Sequence, residues 1–307
     1  MDLNIPSPIE KMTSNLFEEK KLTVYIKRDD LIHSEISGNK WRKLKFNIEK
    51  YKQGKYNAIL TFGGAYSNHI AATAHLCEVL DIPCIGIIRG EELTSKSNDT
   101  LLNASKNGMQ LKFVSRSQYA ERYEKLYWQK LRTEYGNILI IPEGGANFLG
   151  MQGCAEILTE IPFFTDYIIT ASGTGTTAAG LLFNSTETEV VSVPVFKKGD
   201  FILDEIRDLL MFSGLTSTDI SDKMKMLKLD CRFHFGGYGK FTQELIGFMN
   251  EFHESFGIPL DQIYTAKMVF AFLKKVNENY FKRDSTIVLL HTGGIQGTAT
   301  VKDILNY

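Results

Sequence analysis

From about residue 57 onward, short apolar stretches alternate with amphipathic helical patterns. Ala58-Ile59-Leu60-Thr61-Phe62 is one apolar run, a helical pattern covers about 68–80, and Pro83-Cys84-Ile85-Gly86-Ile87-Ile88 is the next run. Short apolar runs alternating with helices predict βαβ units and a parallel sheet. The rhythm continues with a helix near 100–107, a strand at 110–114, a long helix over about 118–135 and a short buried strand at 137–141. A second half repeats it: a helix near 150–160, a strand at 167–170, a helix at 176–183 and a strand at 189–196. Helices at 204–212, 241–256 and 265–279 follow, and a buried strand at 285–290 enters His291-Thr292-Gly293-Gly294. No Pro- or Gly-rich linker separates the halves, which predicts two lobes sharing a cleft, where pockets favour forming.

Composition narrows this picture. A chain of 307 residues accommodates one large or two medium α/β domains, and 43% hydrophobic with 23% charged residues is ordinary for a globular protein. A formal net charge of -1 gives no electrostatic basis for binding nucleic acid or an anionic membrane. Cys77, Cys84, Cys154 and Cys231 form no C-x-x-C pair, and there is no secretory segment or apolar run of spanning length, so a reducing cytoplasm is the expected compartment. His33, His75, His234 and His253 have no metal-ligand spacing with the cysteines, so no metal centre is expected.

Candidate chemistry begins at Ser37-Gly38-Asn39-Lys40-Trp41-Arg42-Lys43-Leu44. Thr23-Val24-Tyr25-Ile26-Lys27 alternates like a strand, Arg28-Asp29-Asp30 breaks it, and Gly38 permits a close turn before a helix. Lys40 therefore falls in a first helical turn, where the helix dipole disfavours an ammonium. A lysine of lowered pKa can form a Schiff base with an aldehyde. The competing reading is a solvated basic run of Lys40, Arg42, Lys43 and Lys45.

Three strand ends open into glycine turns, the place where open α/β sheets bind ligands. In Ala171-Ser172-Gly173-Thr174-Gly175-Thr176-Thr177-Ala178-Ala179-Gly180, glycines permit close approach, hydroxyls add donors and the next helix aims free N–H groups at an anion. Gly173-x-Gly175-x-x-Ala178 also fits a dinucleotide fingerprint, but Glu187 and Glu189 stand before or at the start of the next strand and Lys197-Lys198 after it. An acidic residue at that strand's end is missing, and a monophosphate fits better. In Thr61-Phe62-Gly63-Gly64-Ala65-Tyr66-Ser67-Asn68-His69, Ser67 or Asn68 could cap a helix or hold a substrate carboxylate. In the third turn Thr292 faces a ligand or is structural.

Ser37-Gly38-Asn39-Lys40, Gly63-Gly64-Ala65-Tyr66-Ser67-Asn68-His69, Ile141-Pro142-Glu143-Gly144-Gly145-Ala146-Asn147, Ser172-Gly173-Thr174-Gly175, Ile263-Tyr264-Thr265-Ala266-Lys267 and His291-Thr292-Gly293-Gly294 share one order and spacing. From about residue 6 to the end, the chain resembles the 1-aminocyclopropane-1-carboxylate (ACC) deaminase and D-cysteine desulfhydrase family. The resemblance implies a pyridoxal 5'-phosphate (PLP) enzyme of fold type II, like tryptophan synthase β. That is a two-lobed α/β fold, each lobe a twisted, mostly parallel sheet flanked by helices, with the smaller lobe inserted in the larger. The lobes are placed at 45–150 and at 1–44 plus 151–307.

Matched motif by motif, Lys40 looks like the lysine that bonds the cofactor and Asn68 like the partner of its ring hydroxyl. Ser172, Gly173, Thr174, Gly175 and Thr176 look like its phosphate site, with Thr292 also against the cofactor. Ser67, Asn68 and His69 look like the substrate carboxylate site, and Tyr238 and Tyr264 like the two active-site tyrosines. The resemblance also implies a homodimer acting on a small amino acid. ACC deaminases carry a glutamate where this chain has Thr265 and a leucine where it has Thr292, so both departures point to the desulfhydrase branch. Arginine and glutamine, common after Ser-Asn-His in the family, are replaced by Ala71 and Ala72, which leaves substrate selection open. ACC deaminase is the alternative activity. Other synthases or dehydratases of the fold type, a PLP-binding protein without turnover and a dinucleotide oxidoreductase are further alternatives.

Overall fold

The computed structural model describes every residue except 37, 296, 297, 299, 300 and 307, so the Ser37 of the first motif lies outside the described residues. In chain order the elements are β1 (Ile9–Met12), α1 (Asn15–Lys20), β2 (Thr23–Arg28), α2 (Asn39–Gln53), β3 (Ala58–Gly63), α3 (Asn68–Val79), β4 (Cys84–Arg89) and α4 (Asp99–Lys106). Next come β5 (Gln110–Val114), α5 (Arg116–Ala120), α6 (Lys125–Tyr135), β6 (Ile138–Ile141), α7 (Phe148–Thr159), β7 (Tyr167–Ser172), α8 (Thr176–Asn184) and β8 (Glu189–Pro194). The chain closes with α9 (Ile202–Met211), α10 (Ser217–Lys225), β9 (Leu227–Leu229), α11 (Gln243–Phe256), α12 (Thr265–Asn277) and β10 (Thr286–His291). Two compact units result: Lys40–Gly153 with Met1, and Asp2–Asn39 with Cys154–Tyr307.

The second of these units is built on a sheet of order β1-β2-β10-β7-β8-β9. Only β1 runs antiparallel to its neighbour; the other pairings are parallel. Its central strands β7, β8 and β10 are buried along almost their whole length, as expected where helices cover both faces of a parallel sheet. Val24, Ile26, Ile169, Val191 and Leu289 are fully buried and share a core with Ala266, Val269 and Phe272 of α12. Since β2, β10, β7 and β8 point the same way, their carboxyl ends at Arg28, His291, Ser172 and Pro194 lie along one edge. Such an edge is where ligands bind in open α/β sheets.

The unit from Lys40 to Gly153 has an all-parallel sheet of order β5-β4-β3-β6. Leu60, Phe62, Ile85, Ile87 and Ile140 pack with Tyr119, Tyr127 and Leu131 beneath it. The carboxyl ends of β3 and β6 open into residues 64–67 and 142–147, which sets two of the sequence motifs on one edge of this sheet.

Two expectations need correction. The long helix expected over 118–135 is broken: α5 ends at Ala120, a single 3-10 turn covers Glu121–Tyr123, and Glu124 adopts an extended conformation before α6. The Trp128 indole N–H donates to the Arg122 carbonyl across the break (2.6 Å), supplying the bond a continuous helix would have made there. The segment after Phe212 also contains α10 and β9, which the apolar periodicity did not reveal. α10 begins with a capping box in which Thr216 and Asp219 satisfy each other's backbone N–H groups.

Candidate active site

Gly38 adopts φ +65°, and a side chain there would place its Cβ 1.8 Å from the Thr292 carbonyl oxygen. Only glycine allows that approach. It lets the Asn39 N–H donate to the Thr292 carbonyl (3.2 Å), while the Asn39 amide Nδ2 donates to Thr177 Oγ1 in the first turn of α8 (3.0 Å). Asn39 therefore ties together the turn after β10 and the start of α8, and Lys40 is the next residue. Asn39 and Thr177 were given no role by sequence reasoning. An asparagine immediately before a lysine in a helix start is the available signal, read there only as part of a motif.

The basic run is not a solvated face. Arg42 and Lys43 are buried, at 1% and 5% exposure, and Lys40 is half-buried. Gly153 of α7 makes room for this, since a Cβ there would lie 1.9 Å from the Arg42 carbonyl oxygen.

At the start of α8, Gly175 takes φ +68° and no side chain caps the helix. The Thr174 and Thr176 hydroxyls are 2.8 Å apart at its mouth. Uncapped first-turn N–H groups, the positive helix end and paired hydroxyls form an anion cradle. Ser172 sits differently from its neighbours in the motif. Its hydroxyl is buried and bonded to Ser192 Oγ on β8 (2.7 Å), so that hydroxyl fastens strand to strand.

Above this cradle, Gly173 lies against the Tyr264 ring, to which a Cβ would come within 3.2 Å. The Tyr264 ring meets Tyr238 edge to face (6.2 Å between centroids), and Tyr238, 43% exposed, stacks on Phe196 at 5.3 Å. Thus the two predicted tyrosines and Gly173 form one surface.

Behind Tyr264 stands Asp261, fully buried and not anticipated as part of the site. Its Oδ1 accepts the N–H groups of Ile263 and Tyr264, and its Oδ2 accepts the N–H and the hydroxyl of Thr265 (2.7 Å). The Thr265 hydroxyl has one proton, and it points to Asp261. The Asp-x-x-x-Thr spacing ahead of α12 was the available cap signal. Thr292 is buried at the end of β10, beyond a His291 ring that bonds the Pro259 carbonyl (2.8 Å) and approaches Asp30 (3.3 Å).

In the unit from Lys40 to Gly153, Ser67 caps α3, its hydroxyl accepting the Ile70 N–H (3.3 Å). Asn68 opens the helix. His69 is buried within reach of the charges of Lys40 and Lys43, and burial first, then those two lysines, push its pKa down to about 3. Its Nε2 lies 2.9 Å from Thr61 Oγ1, which itself donates to the Ile141 carbonyl (2.8 Å). Thr61 has no second proton, so His69 Nε2 carries the hydrogen and Nδ1 is a bare acceptor. That Nδ1 is buried and has no protein hydrogen-bond partner. An unsatisfied buried acceptor costs about 1–3 kcal/mol, and a donor from outside the chain would relieve that cost.

Among the described residues no group of three His, Cys, Asp or Glu side chains is placed to hold a metal ion, and no helix is long and apolar enough to cross a membrane. By itself, the uncapped α8 N-terminus suits a phosphate. In the unit from Lys40 to Gly153, the half-buried Lys40 lies near the neutral His69.

Known proteins fit the same picture. The sequence model for pyridoxal-phosphate dependent enzymes matches residues 2–197. The chain is 30% identical to a candidate 1-aminocyclopropane-1-carboxylate deaminase of Pyrococcus furiosus, over 90% of this chain and 85% of that protein. It is 26% identical to the D-cysteine desulfhydrase of Serratia proteamaculans, over 94% and 91% of the two chains. Among solved structures, an ACC deaminase homologue superposes with a TM-score of 0.78 at 26% identity, covering 97% of this chain and 94% of that one. The chain belongs to the pyridoxal-phosphate-dependent enzyme family. It has the fold of the fold type II PLP enzymes, and both D-cysteine desulfhydrases and ACC deaminases are among its relatives.

Proposed function

We propose that this enzyme eliminates sulfide from D-cysteine, giving pyruvate, hydrogen sulfide and ammonia with the uptake of one water. The observation that carries the choice over ACC is the Thr265–Asp261 pair. An ACC deaminase of this family has a glutamate at the position of Thr265, and here the only hydroxyl proton at that position is directed to Asp261. Asp261 is itself occupied by four donors. The site thus lacks a carboxylic acid placed to supply a proton, which carbon–carbon cleavage needs more than loss of a good leaving group does.

When bound, PLP supplies an electron sink for the bonds at the substrate α-carbon. Lys40 would hold the aldehyde and would also be the base that takes the substrate α-proton. The N–H groups of α8 with Thr174 and Thr176 would hold the phosphate, Asn68 would hold the ring hydroxyl, and Thr292 would also contact the cofactor. The N-terminal turn of α3, with the Ser67 hydroxyl, would fix the substrate carboxylate, and its N–H groups suit an anion. His69 stays neutral at working pH, so it adds no charge beside Lys40. Tyr238 and Tyr264 would face the departing group and move protons there. We also propose a cytoplasmic homodimer, the assembly the family resemblance implies, to be checked by light scattering.

The test is direct. Purified protein with PLP is compared with Lys40→Ala by visible absorption, then given D-cysteine and ACC separately while sulfide, pyruvate and 2-oxobutyrate are measured. The reading expects a visible band that Lys40→Ala lacks, sulfide and pyruvate in equal amounts from D-cysteine, and at least about a 1000-fold loss in the variant. Turnover of ACC with none of D-cysteine would reverse the substrate choice. A colourless protein unchanged by added PLP would remove the assignment of Lys40.

A further inference from the structure

We infer that Lys267 is a positioning residue that holds Tyr238 in place by clamping the loop that carries it. The inference rests on the proposed role of Tyr238. Lys267 lies in the first turn of α12 with no exposure to solvent. Its ammonium donates to the carbonyls of His234 (3.0 Å) and Gly237 (2.9 Å), both in the loop and neither charged. Two features say that this arrangement is costly. An ammonium in a first helical turn opposes the helix dipole. Burial removes its hydration and lowers its pKa to about 8, with only Asp261 acting in the other direction. An apolar side chain of the same length would avoid both penalties.

The loop explains what the cost secures. Phe235, Gly236, Gly237 and Gly239 all adopt positive φ (48°, 95°, 113° and 68°), a run with high backbone freedom when unfastened. Two consecutive turns fold it, Gly237 N–H to His234 carbonyl (2.9 Å) and Lys240 N–H to Gly237 carbonyl (3.1 Å). The carbonyls that close these two turns are the same two that Lys267 takes. Tyr238 begins the arc of the second turn, and its 43% exposed ring is held only on the sides that meet Phe196 and Tyr264, so the loop sets where its backbone stands. Tyr264 is the residue just before α12, three positions ahead of Lys267. One helix end therefore places one tyrosine directly and the other through the lysine.

The experiment is a double-mutant cycle on the PLP-loaded enzyme, with Lys267→Met, Tyr238→Phe and the pair assayed for sulfide release from D-cysteine, alongside amide hydrogen exchange of residues 234–240. Misplacing a reacting group by about 1 Å costs about 100-fold, so Lys267→Met should lower kcat/KM by that order in the native background and by less than about threefold when Tyr238 is already Phe. Exchange across 234–240 should speed up in Lys267→Met while the other peptides of α12 keep their protection. Lys267→Gln, which keeps one N–H donor to the loop, should restore part of both readouts, and it serves alone if the methionine variant does not fold. Equal losses in both backgrounds, or unchanged loop exchange, would overturn the inference. Full activity of Tyr238→Phe by itself would instead remove Tyr238 from the proposed site, leaving the exchange result to decide whether Lys267 clamps the loop.

Discussion

The turns that open α8 and α3 carry the same sequence signal, a buried strand, glycines and then a small-residue helix, yet they end differently. At α8 the last residue before the helix is Gly175 in a left-handed conformation, and no side chain takes up the first N–H groups. At α3 that position is Ser67, whose hydroxyl already accepts the Ile70 N–H. The first arrangement leaves its donors open, which in the proposed reading are for a strongly charged group that remains in place. The second keeps part of its donor set for itself and suits a singly charged carboxylate that comes and goes. Their second difference is titration. His69, neutral and buried, follows immediately on the α3 turn, whereas residues 172–177 contain no ionisable side chain.

Closing the open turn should give the largest effect. Gly175→Ala would add a Cβ 2.8 Å from Ile206 Cγ1 at a backbone angle disfavoured for alanine. Displacing two donors from the phosphate, at about 1.5 kcal/mol each, corresponds to about 100-fold weaker PLP binding, measurable by titration of the apoenzyme. Unchanged affinity would mean that the cradle is not the phosphate site.

The titrating residue gives the next effect. The folded state holds His69 neutral to about pH 3, while the unfolded imidazole takes up a proton below its ordinary value of 6.5. Stability from this source is intact above pH 6.5 and falls as pH drops through that window, by at most about 1.4 kcal/mol per unit. Denaturant midpoints measured from pH 7 to 4 should therefore decline less steeply for His69→Gln than for the native chain. A parallel decline would show that the histidine is not excluded from protonation.

Ser67→Ala should separate the two turns. Loss of its cap costs about 1 kcal/mol of stability, and loss of the carboxylate contact should raise KM for D-cysteine by about tenfold while PLP affinity stays within about threefold of the native value. If PLP affinity collapsed instead, the α3 turn would belong to the cofactor. Asn98→Ala is the smallest change, removing a cap on α4 that accepts the Leu101 N–H. It should cost about 1 kcal/mol in chemical denaturation and leave kcat/KM unaltered, so that any effect of Ser67→Ala on kinetics is not a general consequence of uncapping.

The legible parts of this molecule are those where one local rule decides. β5 was predicted with its observed bounds, and α3 and α12 to within two residues; at α3 the Ser67 cap marks the start, and at α12 the helical periodicity runs from Thr265. Where two rules compete, the sequence was ambiguous. Residues 118–135 have helical periodicity throughout, but the Trp128 indole stabilises a break that periodicity cannot register. Ser172 reads as a phosphate ligand by its place in the motif, and only the register of β7 against β8 reveals that its hydroxyl meets Ser192. Asp261 and Lys267 were the hardest to find. Their importance lies in being charged and fully buried, and burial is a property of packing by distant segments.

The sheet order β1-β2-β10 has a consequence for how the chain is made. Thr23 of β2 lies beside Thr286 of β10, so on its inner side β2 has no partner until β10 has been synthesised. The stretch from Lys40 to Gly153 has every strand it needs once Ile141 has emerged. Vectorial synthesis therefore favours an order of assembly in which the intervening unit folds first, while the opening segment, with its apolar strand exposed, waits to be captured by the closing one.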